Sequence, residues 1–273
     1  MALSKISTNR LSPMRKGRRK KGISSIISTV IITAALLIIL VIASFVATNI
    51  LGLQMADSEF QQAQSNMLLL DSVIQDVSLR QGAGSYVQFN QITGGIGIAK
   101  DTTSTLTITG PSGHTYPSTT EPHNSLYSLV YTGGTSMSGA SQDLKGSNSL
   151  SITLQQPIGY LRVETGNGLK IKLDYNRVRV VNMSQQWIGS VPYEFYEITF
   201  LQLTQGSTTG SGNVRVMAQN VGITNIPWTF TGTSGVITAT LKSTDPPTTL
   251  LSMSSTKNYA VLITIVTIQI SIA

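Results

Sequence analysis

The stretch RRKKGISSIISTVIITAALLIILVIASFVATN, residues 18–49, decides how this chain is built. Four consecutive cations, Arg18 to Lys21, meet Gly22, and no charged residue follows until Asp57. At ~1.5 Å per residue, residues 23–56 make a helix of roughly 50 Å, longer than the ~30 Å hydrocarbon core of a bilayer. The basic flank is expected to stay in the cytoplasm under the positive-inside rule, which sends everything after the span outward. A secretory signal has a shorter apolar core of ~7–15 residues and a small-x-small cleavage site. VIASFVATN, residues 41–49, matches such a site poorly.

Charge separates the same two parts. Eight of the nineteen Lys+Arg precede Ile23 and no Asp or Glu does, which leaves 11 basic against 12 acidic residues in the remainder. The formal net charge of +7 therefore belongs to the leader, and nucleic-acid binding is set aside because the body carries no basic excess. Only 11% of the whole chain is charged, so the body is solvated mainly by hydroxyls and amides, while its runs of Val, Ile and Tyr argue for packed strands. There is no cysteine, hence no disulfide and no thiol nucleophile.

Beyond Asp57 the helix is expected to continue, because neither Pro nor Gly occurs until Gly82. Leu53, Ala56, Phe60, Ala63, Met67, Leu70, Ile74 and Val77 alternate spacings of three and four, an apolar stripe on one helical face. Arg80 is expected in the last turn, with Gly82 and Gly84 ending the helix. Three segments follow: a basic leader over 1–22, a long helix over 23–81, and a head over 82–273. Within the apolar half, Ser25, Thr29 and Thr33 lie four apart, as do Ser44, Thr48 and Gly52. Small faces of this kind let helices approach closely where lipid offers no hydrophobic drive.

The Lys-Lys-Gly hinge followed at once by ISSIISTVIITAALLIILVIA resembles the class III signal of type IV pilin-like proteins, particularly archaeal ones. The likeness covers about residues 14–80. It extends to SNMLLLDSVIQDVSLRQGAGSYVQF, which is similar to the helix-to-β junction of archaeal pilin-like surface proteins. The resemblance implies a membrane peptidase, the prepilin peptidase, that cuts after Gly22. Lys21 and Gly22 would then be lost and Ile23 would begin the mature chain. It implies further partners: other copies of the subunit in a filament, a pilus assembly ATPase with its membrane platform, and the cytoplasmic membrane before assembly. Bacterial members carry Glu at the fifth mature position, where Ile27 stands here, so the archaeal branch is favoured. Archaellins share the leader type, but their usual start to the apolar segment is missing. The chain is also longer than a typical major pilin.

From Gly82 onward the pattern is β. SYVQF, STLTITG, YSLVY, SLSITLQQ, LRVET, LKIKLDYNRVRVV, EFYEITFLQL, NVRVMAQN and VITATLKS are strand-like runs separated by Gly, Ser, Pro and Asn clusters. The expected class is α+β: a long hydrophobic helix, then an all-β sandwich head, immunoglobulin-like or a related open barrel. In LKIKLDYNRVRVV the apolar phase changes between Tyr175 and Val178, which implies a bulge or turn at 174–176. Lys170, Lys172, Arg177 and Arg179 are read there as a solvated strand face. The C-terminal YAVLITIVTIQISIA is too short and too β-branched for a second span and reads as a long strand, one that closes the sandwich or is donated to a neighbour.

Residues able to carry chemistry are few. His114 and His123, with Glu121, fall in a Pro-rich stretch read as a surface loop; no metal and no cofactor is expected. No nucleophile–base pattern and no phosphate-cradling loop stands out, so an anchored hydrolase ranks low. Asn182 opens the one N-x-S/T acceptor pattern. Trp187, Tyr193, Phe195, Tyr196 and Phe200 are read as core packing in preference to a sugar platform. The expected function is that of a filament subunit, with adhesion implied by that resemblance alone. The alternative is a membrane-anchored extracellular binding protein or adhesin that does not polymerise.

Overall fold

The computed structural model describes residues 23–117, 125–134, 139–166, 168–210, 212–242 and 244–273, with side chains from Ile26 onward. It has the α+β architecture: one helix, α1 (Ile23–Ser78), then a β-sandwich head. In chain order the strands are β1 (Gly84–Asn90), β2 (Gly95–Asp101), β3 (Thr107–Thr109), β4 (Thr115–Tyr116) and β5 (Leu126–Thr132). Next come β6 (Gln142–Lys145), β7 (Ser151–Ile152), β8 (Tyr160–Gly166), β9 (Gly168–Asp174) and β10 (Val178–Ile188). The last are β11 (Val191–Thr208), β12 (Asn213–Phe230), β13 (Gly235–Thr240), β14 (Thr248–Met253) and β15 (Asn258–Ile272).

Two compact units divide between Gly52 and Leu53. The first contains the apolar part of α1, where every side chain from Ile26 to Leu51 is exposed. The second contains the remainder of α1 and all the strands.

In the second unit a six-stranded sheet, ordered β1-β12-β15-β11-β10-β7, is the shared layer of two cores. On one face α1 and the five-stranded sheet β2-β5-β9-β8-β6 form the larger core. The opposite face, toward the other end of the strands, packs on the four-stranded sheet β14-β13-β3-β4. Because successive side chains point to opposite faces, β15 serves both cores. Tyr259, Val261, Ile263 and Ile265 enter the second core; Val266, Ile268, Ile270 and Ile272 enter the first. The terminal strand pairs in parallel with β11 and antiparallel with β12, so it closes the sheet of its own chain.

The helical stripe packs as its spacing requires. Ala56, Phe60, Ala63, Met67, Leu70, Ile74 and Val77 are all buried, whereas Leu53, the first residue of the expected stripe, is 53% exposed. The helix ends at Ser78, so Arg80 lies past the last turn. Asn220 explains the stop. Its Nδ2 donates to the Val77 and Ser78 carbonyls at 3.2 and 3.1 Å, satisfying acceptors that a helix end leaves open. The same residue sits at a bulge between Asn220 and Gly222, which shifts the face served by later β12 residues. Val216 and Ala218 therefore point into the first core, and Trp228 and Phe230 into the second.

The phase change after Tyr175 is a corner between sheets: β9 ends at Asp174 and β10 starts at Val178 in the other sheet. Arg177 turns inward there and is 2% exposed, which corrects its assignment to a solvated face. Its guanidinium donates to the Ser147 and Ile158 carbonyls and meets Asp174 at 3.3 Å. Burial lowers its pKa while the Asp174 carboxylate opposes that shift. Such a residue is buried because a corner places backbone carbonyls around it.

Candidate functional site

The apolar half of α1 is the surface with no counterpart in an ordinary soluble protein. A helix of this length and hydropathy is compatible with anchoring in a membrane. Its polar atoms are turned back on its own backbone: the Thr33 hydroxyl donates to the Thr29 and Val30 carbonyls at 2.9 and 3.0 Å, and Thr48 donates to the Ser44 carbonyl. Those bonds remove the cost of placing hydroxyls in an apolar medium. At Gly52 an added Cβ would meet nothing within 4 Å, so nothing within the chain demands glycine there. Lys21 and Gly22 lie outside the described residues; Ile23 opens α1, and the side chains of Ile23 and Ser25 are not described.

Two acidic residues hold the lower part of α1 to the sheets. Glu59 accepts hydrogen bonds from Ile92 N, Thr93 N, Thr93 Oγ1, Gly94 N and Tyr131 Oη, at 2.9, 2.8, 2.7, 3.2 and 2.8 Å. Burial alone would disfavour its charge, but those donors outweigh it and lower the pKa to about 2. The Tyr131 phenol is pushed up, by burial first and then by the Glu59 carboxylate. Gly94 is required at this turn, since a Cβ would come within 2.3 Å of Tyr131 Oη.

Asp71, twelve residues further along α1, is fully buried. It accepts from Gln75 Nε2 at 2.8 Å, Lys145 Nζ at 2.5 Å and Tyr175 Oη at 2.5 Å. Burial raises the Tyr175 pKa, with the Asp71 charge adding to it. Both acids flank the buried stripe at helical spacing, Glu59 three after Ala56 and Asp71 four after Met67. That position was the signal available in the sequence, where they otherwise look like solvated helix residues.

The remaining sequence-predicted positions are dispersed. His114 Nδ1 lies 3.0 Å from the Pro111 carbonyl, and its ring packs edge-on near Trp228 and Phe230, with centroids 5.4 and 5.1 Å away. That is an aromatic packing role. His123 and Glu121 lie outside the described residues, and no group of three or more metal-binding side chains occurs among the described ones. Asn182 is exposed beside a bulge in β10. Its Nδ2 donates to Tyr196 Oη at 3.2 Å, and its Oδ1 accepts the Ser184 N–H at 2.9 Å. Phe200 is in the core, but Trp187 is 69% exposed and does not belong there, because β10 runs past the sheet that would have covered it.

On the six-stranded sheet, just past the end of α1, a groove of about 850 Å³ is walled by Leu79, Leu154, Ile223 and Val266, with Arg179 and Glu197 among its polar lining. Sequence reasoning missed it, since its residues come from six separate segments.

No known protein family matches the chain, and comparisons with curated proteins and with solved structures give no match.

Proposed function

We propose that this chain is a type IV pilin-like structural subunit of an archaeal cell-surface filament, cleaved after Gly22 and assembled through α1. The observation that carries the reading is the charge-free run from Ile26 to Leu51, exposed around its whole circumference and directly preceded by a cationic leader. An all-round apolar helix needs an apolar surrounding on every side. Lipid supplies it in the precursor, and neighbouring helices supply it in a filament core. Removal of eight positive charges at the leader relieves repulsion among packed N-termini. The head lies outside the cell in this reading, with prepilin peptidase, an assembly ATPase and its membrane platform as partners. Adhesion is a use inherited from the resemblance.

The second reading, a membrane-anchored binding protein that stays single, rests on the same helix. Intact-mass measurement on the native protein and negative-stain imaging of surface fibres separate the two. Assembly predicts a mature chain starting at Ile23, present in fibres, and a Gly22→Leu variant that keeps its leader and forms none. Retention of residues 1–22 on the working protein would sink the processing claim, and a cleaved protein found solely as single membrane-bound copies would sink assembly.

A further inference from the structure

The hairpin made by β10 and β11 ends in an apolar point. Every residue from Asn182 to Val191 is exposed, and no charged residue occurs from Val180 to Tyr193. At the turn Trp187, Ile188 and Val191 are 69%, 50% and 38% exposed, with Ile188 paired to Val191 and Gly189 at φ +64°. These large apolar side chains at the tip of an uncharged hairpin belong to neither core of the head. They mark a contact surface.

The groove past the end of α1 is the matching recess. Leu79 and Leu154 stand 75% and 63% exposed on its rim, and Ile223 and Val266 continue its apolar wall. Its polar groups are incompletely used. Arg179 Nη2 donates to the Gln156 carbonyl at 3.3 Å, but Arg179 Nε is buried with no hydrogen-bond partner. Glu197 accepts the Thr199 hydroxyl at a long 3.3 Å and retains acceptor capacity for a stronger donor.

We infer that the Trp187–Val191 tip of one copy docks in the groove of the next. The tip brings apolar bulk without charge, as the walls require. The Trp187 indole N–H is a donor that needs an acceptor when buried, which Glu197 supplies. Five residues of extended strand separate Ile188 from Met183 on the groove margin, roughly 17 Å, so a tip cannot reach its own groove. Tip and groove meet only between copies, in a heterologous contact that runs on along an assembly whenever its rotation does not close into a ring. Alone it is small and weak; helices already bundled hold the heads at high effective concentration.

This inference rests on the filament reading, and the cysteine-free chain allows a test that separates the two. Ser190→Cys and Thr199→Cys are introduced into the full chain, singly and together, and native cell-surface preparations are oxidised. The double variant should give a ladder of covalent multimers, and each single variant none. Adding Trp187→Ser should reduce the ladder roughly tenfold or more. Fibres that image normally but yield no ladder overturn the tip–groove contact alone. Equal crosslinking by Ser190→Cys by itself also overturns it, in favour of tip-to-tip pairing. So does a blue shift of Trp187 emission on phospholipid vesicles with no ladder, which would make the tip a lipid anchor. Absence of both fibres and crosslinks overturns the filament reading together with this one.

Discussion

Glu59 shows how much a single side chain contributes to holding helix and head together. Five donors converge on its carboxylate, and none of them comes from a cation, so the charge is held by oriented dipoles. A carboxyl that titrates near 4.3 when unfolded and at about 2 when folded stabilises the fold fully above the unfolded value. Between about pH 4 and pH 2 the unfolded chain binds its proton first, and on the order of 3 kcal/mol is lost as the pH falls through the folded value. Thermal unfolding of the full chain in detergent, followed by near-UV circular dichroism, should show that decline. The Glu59→Gln variant should be less stable at pH 7 by about 2–4 kcal/mol, because its amide turns donors toward donors. Its disadvantage should narrow toward pH 2. A wild-type-to-variant difference that stays constant with pH would show that the carboxylate is not the source.

At the scale of elements, Asn220 couples the end of α1 to the phase of β12. Its amide oxygen accepts the Gly222 N–H at 3.1 Å while its nitrogen closes two helix carbonyls. Asn220→Ala should therefore cost about 2–3 kcal/mol in unfolding free energy and leave buried carbonyls open. Hydrogen exchange should rise selectively at residues 75–84 and 220–223; a uniform rise across the head would argue against the local coupling. This element-level logic also marks what the sequence could disclose. The stripe from Ala56 to Val77 and the alternating end of β15 are periodic, and periodicity survives in one dimension. The bulge at Asn220 was invisible because it needs the partner strand to define it. Arg177 reads as solvated because basic residues recur at alternate positions on both sides of the corner, and the sequence does not show that the corner itself turns one of them inward. Trp187 was misread because composition cannot say where a sheet stops covering a hairpin. The grooved site beside Arg179 was beyond reach for a related reason: it exists only once α1, β10, β11, β12 and β15 are assembled.

For the whole molecule, the chemical boundary and the folding boundary fall at different places. Charge returns at Asp57 and strands begin at Gly84, yet the compact head starts at Leu53 because α1 supplies its inner layer. Phe60, Met67, Leu70, Ile74 and Val77 each contribute roughly 1.5–3 kcal/mol through burial, which together is comparable to the ~5–15 kcal/mol that holds a typical domain folded. Removing this part of α1, with Glu59 and Asp71, would also strip Tyr131, Lys145 and Tyr175 of their carboxylate partners. A chain beginning at Leu53 should thus fold without lipid or detergent into a cooperative, soluble head. One beginning at Gly82 should remain unfolded or aggregate, although it retains every strand. Thermal melts and dispersed amide resonances distinguish these outcomes directly. If the shorter chain melted as cooperatively as the longer, residues 53–78 of α1 would be an appendage of the head and not part of its core. If only the longer chain folds, residues 53–78 of α1 are a structural layer of the head, and load applied along that part of the helix reaches the core of the sandwich.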